Sequence, residues 1–117
     1  MPEHLIIGKS GEDLAAVYIE QKGYVILERN WRSRRNEVDI IASENKVLHF
    51  IEVKTRTSFN HGMPEQKAVG NKLKHLKDAA EAYLFQHPEW KMIQFDILSI
   101  NIRSDGTPTY FFIEDVF

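Results

Sequence analysis

Residues 37–54 hold three acids and a lysine whose types and spacing suit hydrolytic chemistry: Glu37 and Asp39 in EVDIIA, then Glu52 and Lys54 at the end of VLHFIEVK. Carboxylate oxygens are hard donors for Mg2+ or Mn2+, ions that take one or two carboxylates and keep several waters. A lysine beside such an ion would orient an attacking water or neutralise charge on a phosphate oxygen, while the ion acidifies the water and polarises a phosphodiester. The expected ligands are Asp39, Glu52 and the Val53 carbonyl, with Lys54 serving the water or the scissile phosphate. Glu37 stands beside them with two readings, a further site acid or a salt bridge to Lys54. The bare acid-and-lysine pattern arises often by chance. Its bland counterpart is a solvated hairpin edge whose exposed ion pairs contribute little.

Those side chains converge only if two strands align them. EVDIIA (37–42) and KVLHFIEVK (46–54) both read as strands, and Asn45-Lys46 between them can form a two-residue turn because asparagine tolerates positive φ. That turn sets Asp39 opposite Glu52 and Glu37 opposite Lys54, whereas a three-residue loop would move Asp39 to the face of Ile51 and Val53 and scatter the cluster. Two opposed carboxylates repel unless something positive lies between them, which is what a divalent cation would supply.

The remaining elements complete an α/β pattern. Ser10-Gly11-Glu12-Asp13 reads as a helix start with Ser10 as cap, Leu14, Ala15, Tyr18 and Ile19 follow at helical spacing, and Gly23 ends the run. YVILE (24–28) is a short strand leading into an irregular arginine-rich segment over 30–36. TRTSFNHG (55–62) is a polar loop. After Pro64, Val69, Leu73, Leu76, Ala80, Tyr83 and Leu84 mark one face of a second helix, with Gly70 able to delay its first turn and His87-Pro88 ending it. MIQFDILSINI (92–102), the turn signal Asp105-Gly106 and TYFFIEDVF supply two more strands. The order α-β-β-β-α-β-β predicts a mixed β-sheet flanked by helices.

Length and composition bound the rest. With 117 residues, 43% hydrophobic and 27% charged, the chain is expected to form one domain, residues 1–117, around one modest core. The absence of cysteine excludes disulfides and thiolate metal sites and fits a reducing, cytoplasmic setting. No apolar run approaches the roughly 20 residues of a membrane helix, so no membrane partner is expected. The net charge of -2 is not that of a uniformly basic nucleic-acid binder. It is compatible with one only if acids gather at a cation site and bases lie around it.

Candidates for that basic surround are present. RNWRSRR (29–35) places Arg32, Arg34 and Arg35 near Trp31, where arginines would grip phosphate and the indole would stack on an unpaired base; the alternative is a surface segment anchored by a buried tryptophan. Arg56, Lys67, Lys72, Lys74 and Lys77 would extend the same rim, or form only a solvated helix face. His49 alternates with Val47 and Ile51 and reads as a sheet residue, and His61 sits in the polar loop. Ser58 lacks a histidine-acid partnership, and phosphate-binding glycine loops are absent. Glu12, in a first helical turn, is explained by the helix dipole alone. Tyr110, Phe111, Phe112 and Phe117 read as core packing or a subunit contact.

A longer series of residues carries a family resemblance: Gly11-Glu12, Ala15, Tyr18, Gly23-Tyr24, Ile26-Leu27, Asn30-Trp31-Arg32, the run 37–42 and Phe50-Ile51-Glu52-Val53-Lys54-Thr55-Arg56. Together they resemble the YraN-like family of small bacterial proteins, which are predicted nucleases. The resemblance implies a restriction-endonuclease-like core, distantly related to archaeal-type Holliday-junction resolvases, with the nuclease motif falling on Glu12, Asp39, Glu52 and Lys54. It further implies a nucleic-acid partner, DNA in the first instance and branched DNA among the substrates, and a homodimer if two symmetric cuts are made. The counter-reading is a nuclease-like fold that holds nucleic acid or a protein without cutting. Two positions depart from the family pattern: Asn36, where glycine is usual, and Gln94, where arginine is common.

Overall fold

Asn45 and Lys46 both take left-handed backbone angles, φ 52° and 66°, the conformation a two-residue hairpin turn demands at both central positions. They join β2 (Asn36–Glu44) to β3 (Val47–Thr57), and the strands then pair Glu44 with Val47, Ala42 with His49 and Ile40 with Ile51. This is the alignment expected of the two-residue turn. A computed structural model describes the backbone of residues 3–57 and 66–117 and the side chains of residues 11–57 and 74–117. Ser58 and His61, and the side chains of Lys67 and Lys72, lie outside the described residues.

The other elements are α1 (Glu3–Gln21), β1 (Val25–Ser33), α2 (Gln66–Gln86), β4 (Met92–Ile102) and β5 (Pro108–Ile113). The five strands form one sheet in sequence order. Only the β3–β4 pair is parallel, because α2 carries the chain back across the sheet between them. Each face is covered by one helix. Ala15 and Ile19 of α1 pack on Ile40, Ala42, Ile51, Leu98 and Ile100, while Leu76, Ala79, Ala80 and Tyr83 of α2 pack on Val38, Ile41, Leu48 and Phe50. Each large aliphatic or aromatic side chain so buried contributes about 1.5–3 kcal/mol. The result is a mixed sheet between two helices, the organisation of a restriction-endonuclease-like core. No helix among the described residues is long and apolar enough to cross a membrane.

Several boundaries differ from the sequence expectation, each for a local reason. α1 begins at Glu3, so Ser10 is an interior residue and not a cap. Gly11 serves packing instead: a Cβ there would lie 2.7 Å from Thr55 Oγ1, so the missing side chain is what lets α1 approach the end of β3. The arginine-rich segment is not irregular. β1 continues through it to Ser33, leaving only Arg34 and Arg35 as the turn into β2. The half-buried Trp31 anchors it, its ring edge-on to Tyr83 at 5.1 Å. Residues 55–57 extend β3 by pairing with Asn101 and Ile102 and their neighbour on β4, and α2 runs through Gly70 without a break. Asn36 does not occupy a left-handed position; Arg34 does, with φ 58°.

The sheet also buries two polar side chains, His49 and Asp96, at 2% and 0% exposure. His49 Nδ1 lies 2.7 Å from Asp96 Oδ2. The carboxylate's other oxygen accepts from Gln94 Nε2 at 2.8 Å and from the Asp115 backbone N–H at 2.9 Å. Gln94, the departure from arginine, is thus a partner of a buried acid inside the fold. Asp96 ties β3, β4 and the carboxyl-terminal segment together, helped by a Val116 N–H to Phe95 carbonyl bond of 2.8 Å. Truncating one partner of such a buried set strands the others, at about 3–5 kcal/mol. Asp96→Ala is therefore expected to lower the urea midpoint by that equivalent at an unchanged slope, with Asp96→Asn milder because it still accepts. A loss under about 1 kcal/mol for the alanine variant would show that the pair is not structural.

Candidate active site

Beyond Ile40 and Ile51 the β2–β3 pairing stops, and a side chain takes over from the backbone. Asp39 Oδ2 accepts the Val53 N–H at 2.8 Å. The expected face-to-face pairing of Asp39 with Glu52 is accordingly replaced by a carboxylate that reaches across to the β3 main chain. β2 is irregular at the same point. Val38 and Ile41, an odd number of positions apart, pack into the same cluster, so the two-residue alternation slips at Asp39. Across the sheet the left-handed Asn30, φ 53°, interrupts the pairing of β1 with β2 between Arg29↔Ile40 and Trp31↔Val38.

The electrostatics show which charges converge. The Asp39 carboxyl is pushed up from 3.8 to about 6, first by burial and next by the negative charge of Glu52, with smaller contributions from Glu37 and Glu12, against a lowering by the Val53 N–H. A half-buried acid facing like charge is a group that binding a cation would relieve. Its donor set is all oxygen, which fits Mg2+ or Mn2+. Among the described residues no three His, Asp or Glu side chains are gathered into a cage. Asp39, Glu52 and the Val53 carbonyl are the groups that would have to supply the protein's share of a metal site.

The predicted residues do not all join this pair equally. β3 pairs with β4 in unbroken register from Val47 to Thr57, so Glu52, Lys54 and Arg56 alternate onto one face, that of Leu48 and Phe50. Neither Glu52 nor Lys54 is without a partner. Glu12 comes from α1 on the opposite face; its Oε2 accepts from Asn30 Nδ2 at 3.1 Å, and its charge is the least of those felt by Asp39. Glu37, read from the sequence as a further site acid or a partner of Lys54, also has a contact on the β1 side. Its β1 neighbour is Arg32, whose Nε lies 3.6 Å from Glu37 Oε1. Three residues back along β1, Arg29 pairs with the Asp13 carboxylate at 3.0 Å.

Several basic residues share one end of the sheet, while Lys46 and Lys91 stand at the other. β2 begins where β3 finishes, so Arg34 and Arg35 of the β1–β2 turn lie at the end that carries Lys54 and Arg56. Arg32 is exposed there, its side chain 74% accessible. Arg56 holds a buried Nε with no hydrogen-bond partner among the described residues, an orphan donor that an anion would satisfy. Arg103 belongs to the same end and was missed in the sequence, because only the parallel alignment of Arg56 with Asn101 and Thr57 with Ile102 brings the end of β4 alongside. The crossover helix was the available signal. Lys74 and Lys77 are exposed on α2, and Lys77 Nζ sits 5.0 Å over the Phe117 ring. Trp31, being packed on Tyr83, is an anchor more than a stacking platform.

The raised Asp39 pKa carries a sign for stability. Below about pH 3.8 the acid is protonated folded or unfolded and costs nothing; above about pH 6 both forms are ionised and the folded state bears the full penalty. Roughly two pH units correspond to about 3 kcal/mol. Asp39→Asn keeps an acceptor for Val53 and removes the charge. It is expected to be the more stable protein by about 2–3 kcal/mol in urea unfolding at pH 8 with chelator, and equal to wild type near pH 3.5. An unchanged difference across that range would mean that Asp39 is not held against like charge.

The uncharacterised protein family UPF0102, in which the YraN-like proteins fall, matches residues 11–100, a span that contains Glu12, Asp39, Glu52, Lys54 and the strands that carry them. A UPF0102 protein of Rhodococcus opacus is 37% identical over 118 residues, covering the whole of both chains. One from Chloroherpeton thalassium is 35% identical over 125 residues, covering all of this chain and 97% of the relative. One from Chlorobium phaeobacteroides strain BS1 is 44% identical over 95 residues, 80% of this chain and 75% of the relative. Similarity at that level over the full length, with a family match from Gly11 through most of β4, places the chain as a member of the UPF0102 family.

Proposed function

We propose that the protein is a metal-dependent nuclease that hydrolyses phosphodiester bonds in nucleic acid, with DNA as the first substrate to test. The observation that carries this reading is the Asp39 carboxyl, held on the Val53 N–H beside Glu52 and pushed up to about 6 where β2 and β3 part. A protein keeps such repulsion where a ligand repays it. Asp39, Glu52 and the Val53 carbonyl would hold Mg2+ or Mn2+, which when bound acidifies a water and draws charge from the phosphate. The Val53 N–H fixes the rotamer of Asp39, so that the acid is oriented before any ion arrives. Lys54 shares the face of Glu52 and would steer the water or balance charge growing on a phosphate oxygen. The orphan Nε of Arg56 offers a donor to the backbone two residues further along β3. Arg32, Arg34, Arg35 and Arg103 would take neighbouring phosphates and position the strand without reading sequence.

A second reading, a binding module that holds nucleic acid without cutting, draws on the Glu12–Asn30 contact, which occupies the acid that would otherwise complete the cluster. A homodimer remains part of the nuclease reading for substrates with two symmetric strands.

Cleavage of single-stranded, flapped and branched DNA with Mg2+ or Mn2+ tests the proposal. Wild type is expected to cut, chelation to stop it, Asp39→Ala to abolish it, and Lys54→Ala to slow it about 100- to 1,000-fold. Equal rates for the three proteins would dismiss the site. Titration calorimetry separates the second reading, since the nuclease should bind Mn2+ through Asp39 and Glu52 and lose that heat in Asp39→Ala.

A further inference from the structure

A cleft of about 500 Å³ lies between the β1–β2 turn and the second half of α2, apart from the acid pair. Ser33, Arg34 and Asn36 line it from the hairpin, and Asp78, Glu81 and Phe85 from the helix. Phe85 is 88% exposed, on a helix whose other face is packed with Leu76, Ala79, Ala80 and Tyr83. A single exposed apolar side chain is unremarkable. A phenyl ring at the mouth of a cleft that also offers a guanidinium, an amide, a hydroxyl and two carboxylates is a different matter, because that set matches one kind of ligand. The ring stacks, the carboxylates accept from an amino group, and the guanidinium takes a phosphate.

The two walls also touch outside the cleft: Trp31 meets Tyr83 edge-on at 5.1 Å, and His75 Nδ1 lies 3.2 Å from Asn36 Oδ1, so hairpin and helix are joined at two points. Arg34 projects from a left-handed turn position, φ 58°. Ordering a ligand between walls that need not rearrange costs less than closing them around it. Asn36 is three residues from Asp39 along β2, roughly 10 Å of strand, which puts the cleft within reach of a nucleotide adjoining one bound at the acid pair.

We propose that this cleft receives one unstacked base of a single-stranded segment. The base lies on Phe85, its exocyclic amino group donates to Glu81 or Asp78, and the adjoining phosphate is held by Arg34. The two carboxylates decide the orientation, since a phosphate turned toward α2 would meet like charge while a base edge with an amino group would not. They also set a preference: cytosine, adenine and guanine carry an exocyclic amino group and thymine does not. This inference rests on the nucleic-acid reading above and deepens it, by requiring an unpaired nucleotide beside the scissile bond.

The experiment is fluorescence anisotropy with short labelled oligo-dC and oligo-dT in chelator, where no cutting occurs. Wild type is expected to bind oligo-dC at least about fivefold more tightly than oligo-dT. Phe85→Ala should weaken oligo-dC binding about 5- to 100-fold, Phe85→Trp should preserve it, and Asp78→Asn with Glu81→Gln should close the gap between the two oligonucleotides. Phe85 is so exposed that its replacement leaves the core intact. Equal binding by wild type and Phe85→Ala overturns the cleft alone and leaves the nuclease reading to its own cleavage assay. Absence of binding to either oligonucleotide overturns the cleft, and only a failed cleavage assay with Mg2+ or Mn2+ beside it would overturn the nuclease reading as well. Binding of an oligolysine peptide in place of DNA, lost when the two acids are neutralised, would reassign the cleft to a basic peptide and overturn the proposal.

Discussion

One carboxylate stands where two strands separate. Past Ile40 and Ile51 the β2 and β3 backbones no longer pair, and the Val53 N–H that would have gone to a strand goes to Asp39. That substitution of side chain for main chain keeps a buried donor satisfied while opening a gap in the sheet. Around the gap sit Glu52, Lys54 and the end of the basic rim. If the strands zipped further, the acid would lie flat on a regular face and the gap would close. If they parted earlier, the apolar layer of Ile40, Ile51 and Ala42 would be exposed. The site and the core thus share a border one residue wide.

That border depends on a turn of two residues. Asn45 and Lys46 hold left-handed angles that lysine in particular adopts at some cost, and the core on both sides of the hairpin offsets it. A one-residue slip would send Phe50 and Leu48 toward α1 and Ile51 toward α2, into layers shaped for other side chains. The same alternation that buries Phe50 against Tyr83 also sets Glu52, Lys54 and Arg56 on one face. Core packing is therefore what holds these charged side chains in alignment, with Glu52 kept close enough to Asp39 for the two like charges to oppose each other.

Much of this was legible in the chain, and the misses have physical causes. The α/β order, the hairpin register and the meeting of Asp39 with Glu52 follow from strand alternation and from asparagine at position 45. The helix start was misplaced because Gly11, a typical punctuation residue, is required by the nearness of Thr55, a contact between elements distant in sequence. Glu37 reads from the sequence as a site acid or a partner of Lys54, and its Arg32 contact is invisible there because it comes from the β1–β2 pairing. Arg103 and the cleft at Phe85 depend on how β4 and α2 lie in space. Local spacing carries no trace of that. His49 was recognised as a sheet residue, but its buried partner Asp96 lies on another strand and looked like one acid among many.

The Asp39–Val53 hydrogen bond has a use beyond mechanism. The amide proton of Val53 is held by an acid that burial and Glu52 push up to about 6, so its resonance frequency in a nitrogen–proton spectrum should follow that charge directly. Acidification, an arriving cation or a nearby phosphate would each displace the same peak. The molecule thereby contains its own indicator, one that reports occupancy of the gap with no dye, label or knowledge of the substrate.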